Sequence, residues 1–371
     1  MPNKRILIFS IAYHPIVGGA EVAVRNITDR LLSYEFDLIS CRFGNHPRQE
    51  KIGNVNVYRV SSGSRIGKYL YPLFAYRLAA ELHRERPYEI VWAIMAAFAS
   101  GAAMLFLRKF PKVKFLLTLQ EGDPIEYIHE RVRWFSSAWQ KIFKRADYIQ
   151  AISNFLADWA KKEGAVCPVE VVPNGVDFKN FQFSISNFQS KSKDPIYKII
   201  TTSRLVHKNG IDILIRACAK LQVTSYKLQV FGSGPDEAKL KSLAKELDIA
   251  DCVEFFGHVE PDDLPKYYAD ADIFVRPSRS EGLGNSFLEA MAAGVPVIGT
   301  PVGGIPDFLI DGETGLFCRP EDPEDLAEKI QRLTADEQLQ QKLITNGRKL
   351  VAEKYDWNII VGRMNSIFQK L

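Results

Sequence analysis

Cysteine is scarce and badly placed for cross-linking: five residues in 371 (Cys41, Cys167, Cys218, Cys252 and Cys318), odd in number, far apart and never spaced as Cys-x-x-Cys. That argues against a disulfide framework or a zinc ribbon and fits a reducing compartment such as the cytosol. Histidine is also sparse, with six residues. No His, Asp or Glu cluster has metal-ligand spacing, and no Asp-x-Asp pair is read at a strand end, so no metal is expected. Long apolar runs are few. Ile6 to Tyr13 follows Lys4 and Arg5, but His14, Pro15 and Glu21 come next without a small-residue cleavage site, so the run reads as a buried first strand. Ile90 to Leu107 is charge-free for eighteen residues, within reach of a membrane span. It reads better as a short β-rich run, Tyr88 to Ile94, and an Ala-rich helix, Ala96 to Arg108, ahead of a strand at 113–119. That is one strand-helix-strand unit of a parallel sheet.

What is present is an ordinary globular composition, 46% hydrophobic and 25% charged, which excludes disorder. The net charge of +4 is unevenly spread. Residues 1–190 hold 25 Lys and Arg against 17 Asp and Glu, a formal +8, and the remainder holds 23 against 27, a formal −4. A basic half points to nucleic acid, an anionic membrane surface or an anionic substrate.

Strand-like runs at 5–12, 35–41, 55–60, 88–94, 113–119, 147–152 and 168–172 alternate with helical patterns, the signature of an α/β doubly wound sheet. Around residues 181–195 the text becomes polar and rich in Ser, Gln and Lys, as a linker should be. A second α/β series follows, with strands at 197–202, 227–231, 253–257, 273–277 and 295–299. The expected architecture is a domain at 1–180, a linker at 181–195 and a domain at 196–354. Two such Rossmann-like halves would face each other across a cleft at the carboxyl ends of their sheets, where ligands of these folds bind.

The most informative stretch runs Ser280-Glu281-Gly282-Leu283-Gly284-Asn285-Ser286-Phe287-Leu288-Glu289-Ala290. It passes from a strand through a glycine loop into a helix, so the amides of Gly284, Asn285 and Ser286 would offer an anion site with the helix dipole behind them. A local reading competes, because Ser286 and Glu289 have the spacing of a capping box.

With its two glutamates eight apart, this stretch resembles the donor-site signature of the GT-B glycosyltransferases of family GT4, the glycosyl transferases group 1 domain. The likeness extends to Ser203-Arg204-Leu205-Val206, Phe231-Gly232-Ser233-Gly234-Pro235, Pro173-Asn174-Gly175-Val176-Asp177 and Gly18-Gly19-Ala20-Glu21. The resemblance implies a GT-B fold and a retaining, metal-independent hexosyl transfer from a nucleoside diphosphate sugar, UDP- or GDP-linked, to a glycan or lipid-linked acceptor. It implies that Glu289 holds the ribose hydroxyls and that Glu281 faces the donor sugar. Gly284, Asn285 and Ser286 would receive the pyrophosphate, and Arg204 with a nearby lysine, Lys208, would neutralise it. Gly232, His258 and Val259 are placed at the donor, the last two against the base, and Gly18 and Gly19 open the first helix toward both substrates. It also implies that a last helix, 355–371, with Trp357, Ile360, Met364 and Ile367 at helical spacing, packs back on the first domain.

Two departures from the family pattern stand out. Gln120 occupies the place of a cleft histidine after the strand at 113–119; it can hydrogen-bond a sugar hydroxyl but cannot move protons near neutrality. The lysine expected immediately before Gly210 is displaced to Lys208, with Asn209 between. Two basic segments, Arg65, Lys68, Tyr69, Tyr71, Arg77 and Arg84, and Arg131, Arg133, Trp134, Trp139, Lys141, Lys144 and Arg145, could dock on anionic lipid, placing a cytoplasmic enzyme at the inner face of a membrane. A solvated helix face is the competing reading, and His14, His129 and His258 are read as loop or surface residues as readily as catalytic ones. Other functions fit less well. A dinucleotide-dependent oxidoreductase would need a third glycine where Glu237 stands, and no motif for nucleic-acid binding accompanies the basic half.

Overall fold

The computed structural model describes residues 4–16, 18–133, 136–184, 196–222 and 225–371. Trp134 and most of the expected linker, residues 185–195, lie outside the described residues. The chain divides into two units, Met1–Asn174 with Trp357–Leu371, and Gly175–Asp356.

The first unit runs β1 (Lys4–Phe9), α1 (Gly19–Arg30), β2 (Tyr34–Arg42), β3 (Gln49–Ile52), β4 (Val55–Ser62), α2 (Arg65–Glu85) and β5 (Ile90–Ile94). It continues through α3 (Phe98–Lys109), β6 (Lys114–Leu119), α4 (Ile125–Val132), α5 (Ser136–Arg145), β7 (Tyr148–Ala151), α6 (Asn154–Lys162) and β8 (Val169–Val171). Its sheet has the order β3-β4-β2-β1-β5-β6-β7-β8 and is parallel except for β3, which pairs antiparallel with β4. The central strands are apolar on both faces because helices cover both: every residue of β5 is buried, and in β6 only Lys114 is exposed. The apolar run at 90–107 thus divides into a buried strand and α3. Ala99, Ala102 and Ala103 of α3, like Ala75 and Ala79 of α2, are fully buried, and such small side chains let the two helices pack closely.

The second unit runs β9 (Tyr197–Thr202), α7 (Ile211–Cys218), β10 (Tyr226–Phe231), α8 (Glu237–Glu246), β11 (Val253–Gly257), α9 (Leu264–Asp270) and β12 (Ile273–Arg276). It ends with α10 (Asn285–Ala293), β13 (Val297–Gly299), β14 (Leu316–Phe317), α11 (Pro323–Ala335) and α12 (Glu337–Lys354). Its sheet is parallel throughout, in the order β11-β10-β9-β12-β13-β14. That is the 3-2-1-4-5-6 order of a doubly wound nucleotide-binding fold, with the topological switch point between β9 and β12. Residues 175–180, assigned to the first domain on sequence, belong to this unit, where the 3-10 segment Phe178–Ser184 packs on α9 and α10.

The last helix, α13 (Trp357–Lys370), belongs to the first unit. Trp357, Ile360, Met364, Ile367 and Phe368 enter the core formed by β1, β2 and β5, with the Phe368 ring 5.4 Å from that of Trp92. Polar ties reinforce the apolar seam: the Tyr34 hydroxyl donates to Asn365 Oδ1 at 2.8 Å, and Arg363 and Lys370 both reach Glu170. Among the described residues no helix is long and apolar enough to cross a membrane.

Candidate active site

In the second unit the loops that leave β9, β10, β11 and β12 are fastened side by side. The Gly232 amide donates to the Gly257 carbonyl at 2.7 Å, Leu205 N to Ser233 O at 3.0 Å, and Ser286 Oγ to the Thr202 carbonyl at 3.2 Å. Two glycines permit this crowding. Gly232 has φ +122°, and a Cβ there would sit 1.9 Å from the Ser203 carbonyl oxygen; Gly210 has φ +69°, and its Cβ would sit 1.9 Å from the Pro277 carbonyl oxygen. Gly232 is therefore accounted for by the approach of two loops.

β12 is apolar until its last residue, Arg276, which is 6% exposed at the carboxyl end of the sheet. A buried guanidinium must spend its donors on partners. Nη1 donates to Ser286 Oγ at 2.6 Å, Nε to Ser278 Oγ at 3.2 Å and Nη2 to Glu281 Oε2, while the cation lies 4.9 Å over the Phe287 ring. Glu281 also receives its neighbour's amide, Gly282 N, at 3.0 Å on Oε1. Both carboxylate oxygens are thus oriented by fixed donors. The sequence reading missed Arg276, although a lone charge closing an apolar strand is a visible signal.

Gly284, at φ +102°, caps α10, and no side chain caps this end of the helix. Ser286 lies inside the first turn and is committed to Arg276 and Thr202, while Glu289 Oε2 accepts from the buried Tyr268 hydroxyl at 3.1 Å. The capping box does not form. Its spacing is right, but the glycine at positive φ has taken the capping position two residues before Ser286. Burial raises the Glu289 carboxyl above its usual range, with Tyr268 and Arg276 pulling it back.

The loop after β9 carries Arg204, which is exposed, and Lys208, half-buried. Asn209 is 6% exposed, and its side-chain amide donates to the Arg204 carbonyl at 2.6 Å. The Lys208 carbonyl accepts from Arg279 N at 2.7 Å, tying this loop to the one that carries Glu281. Arg279 in turn forks onto Asp212 at 2.7 and 2.8 Å. His258, exposed, and Val259 follow β11, with His258 Nε2 3.5 Å from Glu260 Oε1. Arg204, Lys208, Glu281, Gly284, His258 and Val259 therefore stand on carboxyl-end loops of strands in one sheet, and Asn285, Ser286 and Glu289 on α10, the helix that follows the last of these loops.

An Asp-x-Asp pair does lie at a strand end, correcting the sequence reading: Asp270 and Asp272 precede β12. They sit at its amino end, where Asp272 accepts from Lys198 N at 2.8 Å and Asp270 from Lys198 Nζ at 2.6 Å. Among the described residues no three His, Cys, Asp or Glu side chains gather as a cation site.

In the first unit, Gly18 and Gly19 begin α1 after β1 and are exposed. Gly18 has φ −138°, ordinary extended backbone, and a Cβ there would meet only the flexible Glu21 carboxylate at 2.8 Å. Gln120 follows β6, and its Oε1 accepts from Asn174 Nδ2 at 3.1 Å. Beside it Glu121, which the sequence reading passed over, accepts from Ala96 N at 2.6 Å on Oε1, and its Oε2 is buried with no partner among the described residues. Burial pushes this carboxyl up to about 7. His14 Nδ1 lies 3.5 Å from Arg25, and His129 Nε2 lies 2.6 Å from Glu163. Of the two basic segments, Tyr71 and Trp139 are buried, donating to the Ile39 and Ala96 carbonyls, so neither is available to a lipid surface.

Residues 17–180 match the model of Glycosyltransferase Family 4, and residues 182–350 match that of Glycosyl transferases group 1. An uncharacterized glycosyltransferase of Methanocaldococcus jannaschii is 28% identical over 98% of each chain. A GDP-mannose-dependent monoacylated alpha-(1-6)-phosphatidylinositol monomannoside mannosyltransferase of Corynebacterium glutamicum is 30% identical over 78% of each. The structure of Anabaena HepE in complex with UDP and glucose superposes with a TM-score of 0.82 at 20% identity, covering 99% of this chain and all of that one. The fold is GT-B, and the enzyme it carries is a glycosyltransferase. The chain belongs to the GT4 family, the glycosyl transferases group 1.

Proposed function

We propose that this enzyme moves a hexose from a nucleoside diphosphate sugar, UDP- or GDP-linked, to a glycan or lipid-linked acceptor, with retention of anomeric configuration and without a metal. The observation that carries the reading is the start of α10. An N-terminus opened by a glycine at φ +102° and capped by no side chain stands between two glutamates that fixed donors orient. In the reaction the bond from the anomeric carbon to the diphosphate oxygen breaks and an acceptor hydroxyl oxygen takes its place, so negative charge grows on the leaving diphosphate. The positive end of α10, Arg204 and Lys208 would stabilise that charge as positioned electrostatics. Glu289 would accept from the ribose hydroxyls, and Glu281, held by Arg276, from the donor sugar. Val259 and His258 would flank the base.

The relatives support both bases: the Corynebacterium enzyme is GDP-mannose-dependent, and the Anabaena structure holds UDP and glucose. The former acts on a phosphatidylinositol mannoside, which supports a lipid-linked acceptor here and a place at the anionic inner face of a membrane. The test is a panel of nucleotide sugars with and without a chelator, scored for donor hydrolysis by mass spectrometry and, once an acceptor is found, for the product anomer by NMR. Loss of turnover with chelator, or an inverted product, would overturn those parts of the reading.

A further inference from the structure

Lys208 is the middle residue of a single 3-10 turn, His207–Asn209, between β9 and α7. A lysine on a flexible stem brings its charge to a defined place only if the turn beneath it is fixed. Asn209 is held from within its own loop, through the Arg204 carbonyl. The other two residues of the turn are held from the loop after β12, both by Arg279. Its backbone amide donates to the Lys208 carbonyl at 2.7 Å, and its Nη1 donates to the His207 carbonyl at 2.7 Å.

The Arg279 guanidinium is fully engaged. Nη1 and Nη2 fork onto the two oxygens of Asp212, in the first turn of α7, at 2.7 and 2.8 Å. Nε and Nη2 fork onto the two oxygens of Glu321, the latter at 2.9 Å. With the His207 carbonyl these contacts use all five N–H groups that an arginine carries. A side chain so committed, and only 16% exposed, keeps no donor for a phosphate and acts as a fastener. Burial would raise the Asp212 carboxyl, but the Arg279 fork outweighs that and holds it below its usual range. Glu321 adopts φ +58°, uncommon for a residue with a side chain, and from there meets the second fork. Arg279 also stands two residues before Glu281 in the chain, so a single residue sets the turn of Lys208 against the loop that carries Glu281.

We infer that Arg279 is a positioning residue of the transfer reaction, fixing the turn beneath Lys208 and thereby the place at which the lysine meets the leaving diphosphate. The inference rests on the reading of Lys208 as a cation for that diphosphate. The test is a double-mutant cycle on the full chain, read by calorimetry as the ratio of the UMP to the UDP dissociation constant, and of GMP to GDP. The second phosphate is the group that separates each pair, so the ratio reports the cations around it. Lys208→Ala should lower the ratio about tenfold, the scale of one charge-assisted contact. Arg279→Met keeps the apolar stem and removes both forks. It should lower the ratio about fivefold in the wild type but less than about twofold once Lys208 is alanine, because a residue that acts through the lysine then has nothing left to place. Arg279→Lys should recover part of the loss, since one ammonium cannot fork onto two carboxylates at once. Asp212→Asn, which weakens one fork, should lower the ratio about twofold with the same dependence on Lys208, and it carries the cycle if Arg279→Met fails to fold. The proposal is overturned if these variants leave the ratio unchanged, or if they lower it as much beside Lys208→Ala as in the wild type, which is the mark of general loosening. Its failure is separable from that of the reading beneath it. A ratio lowered by Lys208→Ala but by neither Arg279→Met nor Asp212→Asn removes the positioning proposal alone, a ratio unmoved by Lys208→Ala removes the lysine assignment, and binding of neither UDP nor GDP removes the donor reading.

Discussion

Lys208→Ala and Asn209→Ala should separate charge from architecture in the loop after β9. Lys208 is half-buried, and its backbone carbonyl, which alanine keeps, accepts from Arg279 N at 2.7 Å. Turnover should fall about a hundredfold, the scale seen when one preorganised partner of a developing charge is lost. Asn209 is a different case, since it is 6% exposed and donates to the Arg204 carbonyl at 2.6 Å. Alanine there removes one hydrogen bond from a carbonyl that still accepts from Val206 N at 2.9 Å, at a cost of about 0.5–1.5 kcal/mol, so melting should fall by roughly 1–6 °C. Turnover should fall only about tenfold, through the looser placement of Arg204. Lysine at 209 would have to enter a buried site, so Lys208→Ala with Asn209→Lys should not recover activity. The assay is initial rate at saturating donor, read as nucleoside diphosphate release, beside differential scanning fluorimetry. A near-normal Lys208→Ala enzyme with an inactive Asn209→Ala enzyme of unchanged melting would refute the assignment and give the catalytic place to the asparagine.

Glu289→Gln should raise the donor dissociation constant, measured by calorimetry, by about tenfold or more, whereas Glu281→Gln should lower turnover with little change in that constant, because in the proposed reading only the second contact would lie near the reacting sugar. Glu121 gives a pH signature. Its folded-state value of about 7 stands above the 4.5 of an unperturbed glutamate. The stability it supports is therefore complete below pH 4.5 and lost as pH rises through 7, by up to about 3 kcal/mol. Denaturant titrations from pH 5 to 8 should show that slope in the wild type and its absence in Glu121→Gln; equal slopes would place the carboxyl in a wetter site. Truncation after Lys354 removes Trp357, Ile360, Met364 and Phe368 from the core of the first unit and should lower its stability by more than about 5 kcal/mol, at 2–5 kcal/mol for each large side chain deleted from a core. An unchanged melting curve would contradict the packing of α13.

Much of the fold was legible because its strands are buried on both faces and read as short apolar runs: Ile90–Ile94 and Ile273–Arg276 need no partner to be recognised. Strands without that signal escaped. Gln49–Ile52 is a polar edge strand that pairs only with β4, and Leu316–Phe317 is two residues long. The loop before α10 was legible as a glycine-to-helix passage, but its competing capping box could not be dismissed without the φ of Gly284. Arg276 was missed because a strand was read for its apolar residues, and Glu121 because attention fell on the substitution at Gln120. Tyr71 and Trp139 were grouped with the basic residues around them, although helical phase turns both inward.

The central claim is that a nucleoside diphosphate sugar binds at the start of α10 and loses its sugar there. Incubating the enzyme with UDP- and GDP-sugars and following release of the nucleoside diphosphate by mass spectrometry, in the wild type and in Glu289→Gln, tests it most directly. Release from one donor series, weakened by the substitution in proportion to lost donor affinity, is expected. Release from none, with melting raised by NAD and by neither UDP nor GDP, would contradict it.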